Sequence, residues 1–249
     1  MVAFLGAVFL KTREAAPQPP LTGEAMGTGW RLVWRGDAPP HLQREIAATL
    51  EHWEQVMSQW RADSDLSRFN RGEPASSDLA RVIDHAETAH AATNGAFDHR
   101  LLANVHAAGH GPPGTGIDLS AIGKGFAADR VAEHLRALGI REFIFELGGD
   151  LIAGDGEWTV GVASPSPDVR AVDRTLNLSG RAMATSGNSH QPRHIIDPRT
   201  GTPVERPPSS VTVIAADAAT ADAWATALFV LGPEFRDIPG ELQVFWLQR

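Results

Sequence analysis

The chain has 249 residues, 43% hydrophobic and 21% charged, enough for one large domain or two intimately joined subdomains with a packed core. A net charge of −8, with acidic residues scattered along the sequence, argues against nonspecific nucleic-acid binding, which needs a basic face. The absence of cysteine excludes a disulfide framework, a thiolate nucleophile and cysteine-ligated zinc.

Met1 to Leu10 is apolar but too short to span a bilayer. Its charges, Lys11 and Arg13, follow it rather than precede it, unlike a secretory signal. It reads either as the remnant of an export signal or membrane anchor, or as an ordinary buried segment of a cytoplasmic chain. The first reading is favoured, and it would make the protein periplasmic or inner-membrane-associated. An extended Pro-rich linker at 15–20 follows, so residues 1–23 are set apart from a main domain over 24–249.

Trp30 to Trp34 reads as a strand. Leu42, Ile46, Leu50, Trp53, Met57 and Trp60 then recur in threes and fours, the buried stripe of a long helix. The stretch from Trp60 to Asn70 is polar and charged, and reads as a surface loop or short turn. A second helix, capped by Ser77 or Asp78, carries Leu79, Val82, Ile83 and Ala86 and stops at Asn94-Gly95. A glycine-rich patch from Gly109 to Gly116 leads to Asp118.

The run from Asp118 to Phe126 ends in Gly123-Lys124-Gly125 and opens a third helix with Val131, Leu135 and Leu138. Glycines there would let backbone amides approach a ligand, and a helix N-terminus beside Lys124 suits a phosphate, although a plain turn satisfies the same residues. Gly139 closes that helix. Strands are expected over 141–147, 158–163, 172–178 and 211–215, and a last helix from about Thr220 to Leu231. Without regular βαβ alternation this is an α+β chain with mixed or antiparallel sheets and packed helices.

In the last helix Asp222 and Thr226 are four apart, so their oxygens share one face among alanines. A carboxylate and a hydroxyl there suit a hard cation such as Mg²⁺. The alternative is that Asp222 only helps cap the helix, and Asp217 is a neighbouring candidate ligand. His190 and His194, like His106 and His110, have the i, i+4 spacing of zinc ligands, but Pro192 and nearby glycines argue against helix in both places. His194 begins a short buried strand, Ile195-Ile196-Asp197, that runs into a Pro-containing turn. No G-x-S-x-G elbow and no G-x-G-x-x-G fingerprint is present, so hydrolase and Rossmann readings gain no support.

Taken in order, eight segments closely resemble the FAD:protein FMN transferase (ApbE) family. They are Met26-Gly27-Thr28, Trp60 through Asn70, Gly95 through Asp98, Asp118 through Phe126, Leu147 through Asp150, Ala184 through Gly187, His194 through Gly201 and Ala221 through Leu228. The resemblance implies an ApbE-like fold and Mg²⁺-dependent transfer of the FMN half of FAD to a threonine or serine hydroxyl, releasing AMP. The acceptor would be a flavoprotein subunit of a respiratory or electron-transfer complex. It further implies that Ala121 (by its carbonyl), Asp222 and Thr226 hold the metal. Met26, Trp60, Ala96, Phe97, Asp98, Asp118, Lys124 and Ile196 would bind FAD, with His194 and Lys124 catalytic. Between Asp98 and Asp118 the chain departs from the family, keeping glycines but losing aromatic residues and most of an insert. Two alternatives on the same site are an FAD pyrophosphatase giving FMN and AMP, and a non-catalytic FAD-binding protein.

Overall fold

The computed structural model describes residues 17–165, 172–189 and 191–248; the apolar segment 1–10 and His190 lie outside them. The described residues open with an antiparallel pair, β1 (Leu21–Ala25) and β2 (Thr28–Trp34), so β1 starts just after the Pro-rich run at 15–20 and inside the stretch 1–23 set apart from the main domain. Met26 and Gly27, both at positive φ, form the two-residue turn such a hairpin requires. The first helix, α1 (Leu42–Met57), buries Leu42, Ile46, Leu50, Trp53, Val56 and Met57. Trp60 lies beyond the helix and is 68% exposed, because the stripe ends when Ser58 turns extended.

The polar stretch after Trp60 is not all loop. Ser64 accepts from Ser67 N and starts the short helix α2 (Asp65–Asn70), whose Leu66 is buried. Helix α3 (Ser77–Ala92) is capped by Ser76 rather than Ser77 or Asp78. A further short helix, α4 (Leu102–Ala107), buries Leu102 and Val105 and carries His106 in its last turn. This differs from the expectation of no helix around His106: the first of the nearby glycines, Gly109, comes only after α4 has ended. Helix α5 (Gly123–Ala137) contains Gly-Lys-Gly as its first turn, and Gly139 at φ +81 ends it.

Strands β3 (Phe143–Leu147) and β4 (Asp150–Ala153) form a hairpin over Gly148-Gly149, both at positive φ. Then come β5 (Trp158–Ala163), β6 (Val172–Leu178), β7 (Ala182–Gly187), the two-residue β8 (Ile196–Asp197) and β9 (Thr202–Pro203), and β10 (Ser209–Ala215). Helix α6 (Ala218–Leu231) and β11 (Gln243–Gln248) complete the chain.

Seven strands form one antiparallel sheet, in the order β1-β2-β3-β4-β7-β10-β11. Alternation along the strands divides the core in two. Leu32, Phe143, Phe145 and Ile152 face the helices, in a cluster with Trp53, Phe126 and Val131. Val33, Ile144 and Leu151 face the other way and pack under Trp158, Val160 and Val162 of the β5-β6 hairpin. Helix α6 covers the far end through Ala221, Trp224 and Leu228 against Val211 and Val213. The α+β reading with antiparallel sheets holds. Among the described residues no helix is long and apolar enough to cross a membrane.

Candidate active site

Beside the β3-β4 turn opens a cleft of about 820 Å³, within the size range of pockets that take cofactor-sized ligands. Its polar centre is Lys124, one residue into α5. Its Nζ lies 3.1 Å from Asp150 Oδ2 and 3.4 Å from Asp222 Oδ2, and Gly125 N donates to the same Asp222 oxygen at 3.3 Å. Asp150 and Asp222 are 4% and 7% exposed, Lys124 30%. Burial works to lower the Lys124 ammonium, but the two carboxylates outweigh it and hold it above the usual lysine range. Asp150 is also raised: burial, together with the charge of Asp222, pushes it up to about 8 against the pull of Lys124.

The local sequence explains this convergence. The Gly148-Gly149 turn delivers Asp150 at the first position of β4. Helix α6 brings Asp222 up beside α5 because the two helices touch backbone to backbone at Gly125, where a Cβ would lie 2.2 Å from Ala218 O. One turn along α6, Thr226 Oγ1 is 3.2 Å from Ser186 Oγ of β7. Asp217, the neighbouring candidate ligand, is instead the N-cap of α6 and accepts from Thr220 N at 2.8 Å.

The lead into α5 is fixed by Asp118, which is buried and accepts from Ser120 N at 2.7 Å. Burial raises its carboxyl, against those hydrogen bonds. The chain just before it is clamped by Asn70, whose Nδ2 donates to Ile117 O and whose Oδ1 accepts from Ile117 N, both at 2.8 Å. The segment from Trp60 to Asn70 therefore gives the cleft an exposed tryptophan at one end and a brace for Asp118 at the other.

His194 stands across the cleft. Its Nδ1 is 2.5 Å from Gln191 O, so Nδ1 carries the proton and Nε2 is left as acceptor. Burial pushes its imidazole below the ordinary histidine range, and His110 and Lys124 add to the effect. The His110 ring meets it edge-on at 6.2 Å.

Met26, Trp60, Ala96, Asp98, Asp118, Ala121, Lys124, His194, Ile196, Asp222 and Thr226 all line this one cleft. Phe97 does not: it is 1% exposed in the core beneath, stacked on His99, and only its neighbours reach the surface. Asp150 and Ser186 join the site although the sequence does not by itself mark them as members of it. Asp150 carried a signal, a carboxylate placed directly after a Gly-Gly turn between two apolar runs.

Among the described residues no group of three or more His, Cys, Asp or Glu could hold a metal. The donor set suits Mg²⁺ nonetheless. Asp150 Oδ2 is buried, and although it pairs with Lys124 it accepts no aligned hydrogen bond. Asp150, Asp222, Thr226 and Ser186 offer oxygen only, Ala121 lines the same cleft, and Mg²⁺ typically takes one or two carboxylates and completes its shell with phosphate and water.

Comparison with known proteins shows the family. The ApbE family pattern matches residues 26–113 and 109–238. An FAD:protein FMN transferase of Escherichia coli K12 is 31% identical, over 94% of this chain and 87% of that protein, and one of Vibrio cholerae is 32% identical, over 89% and 84%. The solved flavin transferase ApbE from Vibrio cholerae superposes with a TM-score of 0.77 at 30% identity, covering 89% of each chain. The Pseudomonas stutzeri flavinyl transferase ApbE in its apo form gives 0.77 at 28%, covering 94% of this chain and 87% of that one. The chain is a member of the ApbE family.

Proposed function

We propose that the protein transfers the FMN half of FAD to a threonine or serine hydroxyl of an acceptor flavoprotein, in a Mg²⁺-dependent reaction that releases AMP. The observation that carries this reading is the meeting of Lys124, Asp150 and Asp222 beside a hydroxyl pair, in a cleft large enough for a dinucleotide.

In the reaction a bond forms between the acceptor oxygen and the FMN phosphorus, and the bond from that phosphorus to the bridging oxygen breaks. AMP carries the bridging oxygen away. His194, neutral and with Nε2 open, takes the hydroxyl proton as the oxygen attacks. The Lys124 ammonium faces the diphosphate and compensates charge building on the bridging and terminal oxygens. The α5 and α6 contact fixes Lys124 relative to Asp222, so little reorganisation is needed as that charge develops.

Asp222, Thr226 and the Ala121 carbonyl, with Asp150 and Ser186 close by, would hold Mg²⁺, which supplies Lewis-acid polarisation of the diphosphate when bound. Met26 and the residues around Asp98 and Ile196 would line the flavin and its linker. Trp60, exposed at the rim, offers a ring face for an aromatic partner.

The test is incubation with FAD, Mg²⁺ and a candidate acceptor, for instance a flavin-carrying subunit of an electron-transfer complex. Gain of one FMN mass on the acceptor with one AMP released supports the reading. AMP and free FMN without an acceptor adduct would make the protein a pyrophosphatase, and FAD retained without AMP would make it a binder.

A further inference from the structure

Asp129 lies in the middle of α5, where helical periodicity would read it as a solvated charge. It is 7% exposed. Its Oδ1 accepts from Ala218 N at 2.8 Å and its Oδ2 from Ala219 N at 2.9 Å, the first two amides of α6. These have no intrahelical partner of their own. Asp217, the N-cap in the same helix, serves a different amide, that of Thr220. The first turn of α6 is thus capped twice, once from its own chain and once from α5.

One turn before Asp129 on the same face of α5 is Gly125. It gives α6 its closest approach and donates its own amide to Asp222. Residue 124, between these ties and the cleft, is the lysine that Asp222 faces. Helix α5 therefore holds α6 at two points, a steric one at Gly125 and a hydrogen-bonded one at Asp129, and the register between them sets where Asp222 stands relative to Lys124. Burial holds the Asp129 carboxyl up at about 6 against the pull of the two amides, so it is ionised at neutral pH and accepts from both.

The geometry points to Asp129 as a positioning residue for the reaction: its carboxylate locks the N-terminus of α6 to α5, and through that lock sets Asp222 and Thr226 against Lys124. This rests on the flavin-transfer reading for its consequence, but the lock itself is testable without it.

The experiment compares Asp129→Asn with Asp217→Ala in the full chain. Asn presents one acceptor and one donor to two N–H groups, so one amide loses its partner. Expected for Asp129→Asn are faster hydrogen exchange at the amides of 218–220, a 10- to 100-fold fall in kcat for flavin transfer, a KM for FAD within about threefold of wild type, and a weaker apparent Mg²⁺ affinity. Asp217→Ala removes a cap without touching the tie to α5. It is expected to lower the melting temperature while leaving kcat within about threefold.

Should Asp129→Asn not accumulate as folded protein, Asp129→Glu, which moves the carboxylate out by one methylene, carries the same expectation. Two outcomes overturn the proposal. One is unchanged exchange at 218–220. The other is faster exchange with kcat and Mg²⁺ dependence unchanged, which makes Asp129 a structural cap only. If wild type transfers no flavin, the functional reading fails, and the exchange result still decides the lock.

Discussion

Replacing Asp222 by Asn removes one charge from a buried group of three while keeping an oxygen for Gly125 N. The two carboxylates stand 3.1 and 3.4 Å from one ammonium. At an effective dielectric near 20 each contact is worth roughly 5 kcal/mol of Coulomb energy before desolvation. Desolvating the charges offsets most of that, and the second carboxylate also repels the first, which adds to burial in pushing Asp150 up to about 8. With Asn at 222 that repulsion is gone and Lys124 keeps a single carboxylate partner. The fold should not suffer, so the melting temperature is expected to stay level or rise. Activity should fall by roughly 10²–10⁴, about 2.7–5.4 kcal/mol of transition-state stabilisation, the scale of one preorganised electrostatic group. The assay pairs mass-detected flavinylation under saturating Mg²⁺ with thermal denaturation of the same preparation. Turnover within threefold of wild type would remove Asp222 from the mechanism. A drop of 5 °C or more with proportionate loss of activity would recast the trio as a structural ion pair.

Other outcomes follow from the same geometry. His194 is a base held below the usual histidine pKa by burial, so it becomes protonated and useless only in acid. The kcat/KM profile should keep its plateau below pH 6.5 and fall at lower pH, and His194→Ala should lose at least 10²-fold and abolish that acid limb. Trp60→Ala should leave the melting temperature unchanged, since the ring is mostly exposed, while raising KM for FAD about 5- to 10-fold, in line with roughly 1–3 kcal/mol per base–aromatic stack; an unchanged KM would place the flavin elsewhere. Chelation with EDTA should stop turnover without altering the far-ultraviolet circular dichroism, and Mg²⁺ should restore it. Gly125→Ala should be severely damaging, because the new methyl would meet backbone at Ala218, and folded, fully active protein would contradict the close helix contact.

Legibility in the sequence followed the size of the side chains. The long helices and β3, β5, β6 and β10 announced themselves through bulky apolar residues at regular spacing. Strand β7 did not, because Ala182-Met183-Ala184-Thr185-Ser186-Gly187 packs in the centre of the sheet on small residues that leave little periodic contrast. Helix α2 looked like loop since its one buried apolar anchor, Leu66, is surrounded by charges that serve local hydrogen bonds. At the site, Asp222 and Thr226 were readable because four-residue spacing on an alanine-rich helix fixes a shared face, and Lys124 because glycines bracket it. Asp129 was not, since a single acid in the third helix has the same local signature whether it meets solvent or the end of another helix. Phe97 failed for the opposite reason: a motif can pass through a binding wall and still turn one member inward.

Lys124 and Asp222 are separated by 98 positions along the chain, and α6 joins the sheet through β7 and β10, which are themselves late in sequence. During synthesis, α5 with its lysine is complete long before the helix that answers it exists. No fragment that ends before α6 can therefore assemble the charge trio. The trio is complete only once α6 docks on α5, so the appearance of activity during refolding should follow that docking rather than formation of the early helices.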